Sequence, residues 1–213
     1  MIDHYDWAGG REAMLRFGPA TGPVIVAALP LFEEANRTRA FTVTILRALA
    51  ERGIAGALPD LPGQGESLVA TESVRLGDLR DAFAAAARHC GPPGYTLGIR
   101  SGALLDATTL PRGRWHLAPS TGPELLRELE RLHQAGGGND YGGNRVSPAL
   151  LGELETAGIA AQNRTIRLET DARPADLKVP GSPLWRRAEP DNDPALAGRL
   201  ADDIAAWVRT CEG

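Results

Sequence analysis

The chain is poor in lysine, cysteine, histidine and aromatic residues, and each shortage narrows what it can be. Of its 23 basic residues only Lys178 is a lysine, and 27 acidic residues leave a net charge of −4. No basic run makes a stripe that could follow a phosphate backbone, so nucleic acid is not an expected partner. The two cysteines, Cys90 and Cys211, show no C-x-x-C or ligand spacing, which argues against a disulfide framework and fits a reduced, cytoplasmic setting. No His/Cys/Asp/Glu group has metal-ligand spacing and no G-x-G-x-x-G opens the first βαβ unit, so neither metal nor cofactor is expected. There is no stretch of eighteen consecutive apolar residues, and M-I-D-H-Y-D-W-A-G-G lacks the basic start and apolar run of a signal peptide; neither a membrane span nor export is expected.

What is present reads as a folded α/β chain. A length of 213 residues suits one domain, and 43% hydrophobic with 23% charged residues lies near the averages for globular proteins. With aromatics at 5% the core must come from Leu, Ala, Val and Ile. P-V-I-V-A-A-L from Pro23 is apolar at successive positions, as a strand buried on both faces of a parallel sheet must be. An edge strand is expected around Glu12 to Phe17. After the Pro23 run, a helix read from Thr38 carries Phe41, Ile45 and Leu49 and stops at Gly53. Strands at 54–58, 95–97 and 115–117 alternate with helices, the pattern of right-handed βαβ units and an open, mostly parallel sheet with helices on both faces. Beyond Pro119 a helix from Pro123 to Gln134 and another opened by Ser147-Pro148 read as a cap insertion at about 120–162, separated by the glycine-rich loop A-G-G-G-N-D-Y-G-G-N-R. Late strands are expected at 165–168 and 177–179, and a final helix at Asp193-Pro194.

The stretch Y-T-L-G-I-R-S-G-A-L-L, residues 95–105, has the strand, glycine-flanked turn and helix start of a nucleophile elbow. Laid over G-x-S-x-G, its glycines Gly98 and Gly102 fit while the centre is Arg100. With the D-L-P-G-Q-G-E-S loop after the strand at 54–58, the chain resembles the α/β-hydrolase superfamily, firmly to about residue 119 and weakly through the cap. More narrowly, P-L-F-E-E-A-N-R-T-R, G-I-R-S-G-A-L-L, G-N-R-V-S-P-A-L and V-P-G-S-P-L-W-R-R-A-E-P are similar to the exosortase A system-associated hydrolases of bacterial exopolysaccharide clusters. That likeness implies that Arg at the nucleophile position is a family trait, and that the triad histidine should fall near Leu184, where there is none.

A guanidinium stays protonated and cannot attack a carbonyl, so Arg100 forbids the usual acyl-enzyme route at that position. Ser101 is either a displaced nucleophile or a cap on the first helical turn. Of the four histidines only His116 is expected near the carboxyl edge, as a base or as a satisfied strand residue. Arg100 either pairs with Glu34 or binds a ligand anion with help from Asn36 and Arg37, Phe32 contributing to the same crevice. The leading expectation is a catalytically degenerate hydrolase-fold protein, a binding or accessory factor for a small anionic or acyl ligand. The alternative is an unorthodox ester or thioester hydrolase using Ser101 or an activated water. A structural homodimer would need an exposed apolar face on the helix from Pro123.

Overall fold

In a computed structural model, which describes residues 1–136, 140–161 and 163–213, the run P-V-I-V-A-A-L folds as a strand, Val24–Ala28, buried at every position. Ile25 and Ala27 enter one hydrophobic layer and Val26 the other, because successive side chains of a strand leave on opposite faces. A strand covered on both sides must lie inside the sheet. It is β3 of eight, the others being β1 (Ile2–Trp7), β2 (Gly10–Phe17), β4 (Ala55–Pro59), β5 (Tyr95–Ile99), β6 (Gly113–Leu117), β7 (Asn163–Leu168) and β8 (Leu177–Val179). They are ordered β1-β2-β4-β3-β5-β6-β7-β8. β1 and β2 form a hairpin and β2 runs antiparallel to β4; every later pairing is parallel.

Helices α1 (Glu33–Glu51) and α5 (Pro194–Glu212) cover one face of the sheet. Leu196, Leu200, Ile204 and Val208 of α5 are all buried, each contributing roughly 1.5–3 kcal/mol by leaving water. Helix α2 (Leu76–His89), a 3-10 helix at Arg100–Thr108, and the two helices between β6 and β7, α3 (Gly122–Gly136) and α4 (Pro148–Leu154), cover the other. Ser147 accepts the Leu150 N–H at 3.0 Å and so caps α4, as Ser147-Pro148 predicts. Part of the glycine-rich loop, 137–139, lies outside the described residues.

Three expectations are corrected. The sheet begins one strand earlier, at Ile2–Trp7, whose polar, exposed edge residues give little apolar signal. Helix α1 starts at Glu33 rather than Thr38, its first turn carrying acidic Glu33 and Glu34, the favourable sign at a helix N-terminus. The apolar face of α3 is not free for a homodimer: Leu125 and Leu129 are buried in the chain's own core, leaving Leu132 as its exposed large apolar residue.

Candidate functional site

The turn after β5 is where backbone geometry is most constrained. Arg100 has φ +53°, a left-handed conformation that is unfavourable for a bulky side chain and persists only where the surroundings impose it. The flanking glycines explain the constraint. A Cβ on Gly102 would lie 2.3 Å from the Ala28 carbonyl oxygen, and one on Gly98 would lie 2.8 Å from the Cα of Ala103; β3 and the 3-10 helix approach too closely for any side chain. The turn therefore projects Arg100 past the carboxyl ends of the strands, where open parallel sheets bind ligands.

There Arg100, 5% exposed, has its guanidinium held on several sides. Its Nη2 donates to Glu128 Oε1 at 2.7 Å, and Nε and Nη2 donate to the two oxygens of Glu34 at 3.3 and 3.4 Å. Its Nη1 reaches the Ala118 carbonyl at 3.5 Å, and Cζ lies 5.4 Å from the centre of the Trp185 ring, within cation–π range. Burial opposes the charge on Arg100, but Glu34 and Glu128 outweigh it and hold the group above its ordinary pKa. Burial raises the Glu34 carboxyl, with Glu128 adding to the rise and Arg100 offsetting part of it. Of the two readings of Arg100, pairing with Glu34 is the one the geometry realises, with Glu128 as a second partner.

The other residues singled out from the sequence divide. Phe32, at φ +61°, and Arg37 join Glu34 in the crevice; Arg37 pairs with Glu33 and donates to the Trp185 carbonyl at 3.1 Å. Asn36 is exposed on α1 and lines neither compartment of the crevice, because the α1 turn that aims Glu33, Glu34 and Arg37 inward leaves it outside. Ser101 does not cap its helix. Its buried hydroxyl accepts the Leu31 N–H at 2.9 Å, tying the elbow to the loop after β3, and it lines neither compartment. His116 is fully buried beneath the turn, its Nε2 2.9 Å from Asp106 Oδ2; Thr96 donates to the same oxygen at 2.6 Å. An ionised carboxylate only accepts, so this contact assigns the proton to Nε2. His116 is a core residue held through Nε2 by Asp106, its Nδ1 having no hydrogen-bond partner among the described residues, and it is not a base in the crevice.

The crevice has two adjoining compartments that share Glu128, Arg131, Trp185 and Arg186. One, about 400 Å³, lies between Arg100, the start of α3 and the segment after β7. The other, about 510 Å³, lies over Leu31, Phe32 and the inner face of α3. Trp185, beside the position where the resemblance places a histidine, forms part of both walls, whereas Trp115 is in the core with its Nε1 donating to Asp203 at 2.8 Å. Asp171, near the place of a triad acid, is bound by Arg167 at 3.0 Å and Arg173 at 2.8 Å, and its hydrogen bonds from Arg173 hold it well below the usual carboxylate range. Sequence reading missed Ser120, Glu124, Arg127, Glu128 and Arg131. The signal was the polar face of P-E-L-L-R-E-L-E-R, where Glu124/Glu128 and Arg127/Arg131 recur one turn apart.

No family model and no curated protein matches the chain. Solved structures do. Est1E from Butyrivibrio proteoclasticus, with ferulic acid bound, superposes with a TM-score of 0.68 at 15% identity over 98% of this chain and 99% of that one. A thermophilic esterase from Thermogutta terrifontis, with malate bound, gives 0.55 at 15% identity over 100% of both chains. The bottromycin epimerase BotH, in complex with bottromycin A2, gives 0.55 at 14% identity over 97% and 99%. With the strand order, the parallel sheet and helices on both faces, these likenesses establish that the chain has the α/β-hydrolase fold.

Proposed function

We propose that this is a catalytically degenerate α/β-hydrolase-fold protein, a binding or accessory factor that takes a small anionic or acyl ligand in the crevice over the carboxyl edge. The observation that carries this is Arg100 at the tip of the elbow, locked by Glu34, Glu128 and the Trp185 ring. A permanently charged group in the nucleophile position has no electron pair to offer. The nearest serine, Ser101, faces the Leu31 N–H rather than the crevice, and the one buried histidine is bound to Asp106. A triad needs nucleophile, base and orienter in mutual reach, and these residues are not so placed. The exopolysaccharide setting rests on the resemblance of P-L-F-E-E-A-N-R-T-R and V-P-G-S-P-L-W-R-R to exosortase-associated hydrolases.

One observation favours the rival hydrolase: Glu34 borders the crevice with its carboxyl raised by burial, the direction a proton-handling group requires. Hydrolysis of a panel of short- and medium-chain esters and thioesters by wild type, Ser101→Ala and Arg100→Ala separates the two. No turnover above buffer is expected from any variant. Turnover by wild type that disappears in folded Ser101→Ala would overturn the non-catalytic reading.

A further inference from the structure

The smaller compartment of the crevice is lined by five arginines, Arg100, Arg127, Arg131, Arg173 and Arg186, against three carboxylates, Glu124, Glu128 and Asp171. All three carboxylates are already engaged. Glu128 is bound to Arg100 at 2.7 Å. Glu124 accepts the Thr121 N–H at 2.7 Å and pairs with Arg173 at 3.0 Å. Asp171 holds Arg167 and Arg173. This leaves Arg127, Arg131 and Arg186 with no hydrogen bond or ion pair to their guanidinium groups among the described residues. Five against three leaves a surplus of two positive charges on the lining.

A second feature points the same way. Ser120, 1% exposed, lines this compartment, and its hydroxyl has no hydrogen-bond partner among the described residues. A buried hydroxyl left unpaired is costly, and rotation of the Ser120 side chain toward the compartment that the residue lines lets a ligand there satisfy it. Arg127 and Arg131, one turn apart, leave the same side of α3, and Arg186 comes from the opposite wall beside Trp185. The N-terminus of α3 is not the attracting group, since Glu124 folds back onto the Thr121 N–H there.

We propose that this compartment binds the phosphate of a phosphomonoester, with Arg127, Arg131 and Arg186 as its cations and Ser120 as a hydrogen-bonding hydroxyl. The proposal deepens the ligand-binding reading above and rests on it. A dianion matches the surplus of two charges, whereas a carboxylate neutralises half of it. Guanidinium forks suit phosphate oxygens, each offering paired N–H donors. The adjoining compartment, with Leu31, Phe32, Leu125, Leu129 and Leu132 in its walls, accepts an apolar organic portion of the same molecule. Arg100 is not the anchor, because two carboxylates already neutralise it.

Titration calorimetry on the full chain with phenyl phosphate, inorganic phosphate and benzoate tests the site. Phenyl phosphate is expected to bind at least about tenfold more tightly than benzoate, with affinity falling as salt rises. R127Q/R131Q should weaken phenyl phosphate about tenfold or more, and R186Q and S120A should each weaken it several-fold, about what losing one ordinary, solvent-accessible hydrogen bond costs. R209Q, at an exposed arginine at the far end of α5, should not change it. These residues are exposed apart from Ser120, so a double variant that fails to fold is replaced by R186Q. Equal binding of benzoate and phenyl phosphate, or undiminished phenyl phosphate binding in R127Q/R131Q, overturns the phosphate assignment. If benzoate alone binds, the general ligand-binding reading survives without it. If none of the probes binds, both fall.

Discussion

Arg100 stabilises the crevice by neutralising two acids, so its removal should be felt in folding before it is felt in function. Arg100→Ser recreates G-x-S-x-G, yet it leaves Glu34 and Glu128 against each other without their shared cation. Breaking one side of a buried charge network costs about 3–5 kcal/mol, and the partly exposed Glu128 places this variant near the lower figure. Urea denaturation at neutral pH should show that loss, while ester hydrolysis stays at buffer level because, among the described residues, no histidine lines the crevice. Unchanged stability would mean that the pairs to Glu34 and Glu128 contribute nothing in solution. Ser101→Ala acts on the other side of the turn, stranding the Leu31 N–H at a cost of about 1–3 kcal/mol. The sequence made Arg100 visible through its glycines, because Gly98 and Gly102 mark a close approach of backbones that no other residue permits. It did not make Glu128 visible as a partner. That pairing depends on the placement of α3 across the crevice, which no spacing near residue 100 encodes.

At the level of elements, legibility followed burial. β3, β5 and the helices with four-residue apolar spacing could be read directly, since their patterns are the imprint of the two core layers. β1 was hidden because most of its residues face solvent or lie half-buried at the sheet's edge. The segment after the elbow carried a helical pattern and forms a 3-10 helix instead. It is fixed by long-range contacts: Arg80 Nε donates to the Leu104 carbonyl at 2.9 Å, and Asp106 is drawn to Thr96 and His116. Helix starts were legible where a local cap defines them. Asp193 accepts the Leu196 N–H at 2.9 Å, with Pro194 in the first turn of α5. Asp193→Ala should cost about 1 kcal/mol, measured as a shift in the denaturation midpoint with an unchanged denaturant slope. A changed slope would instead point to fraying of the whole C-terminal helix.

Across the whole molecule, stability against acid depends on carboxylates held by arginine at several junctions. Asp203 of α5 is the clearest. Burial raises its pKa, but Arg164, at 2.6 and 3.0 Å, and the Trp115 Nε1 outweigh burial and hold it below its ordinary value of 3.8. Burial likewise opposes ionisation of Glu124, and the Thr121 N–H and hydroxyl with Arg173 overcome it. A carboxylate with a depressed folded-state pKa releases its proton more readily when folded than when unfolded. Its stabilising contribution is therefore complete above the unfolded value and disappears as pH falls through the folded one. Glu34 and Glu12, raised by burial, act in the opposite sense and make the fold less stable as pH rises through their values. Wild type should then exceed Asp203→Asn in stability at pH 7, and the gap should close as the pH falls below about 4, where Asp203 takes up a proton first in the unfolded and then in the folded state. Denaturation series at pH 7, 5, 4 and 3 measure the gap directly. A difference that stays constant down to pH 3 would show that Asp203 joins α5 to the sheet through the shape of its hydrogen bonds to Trp115 and Arg164, with its charge contributing nothing.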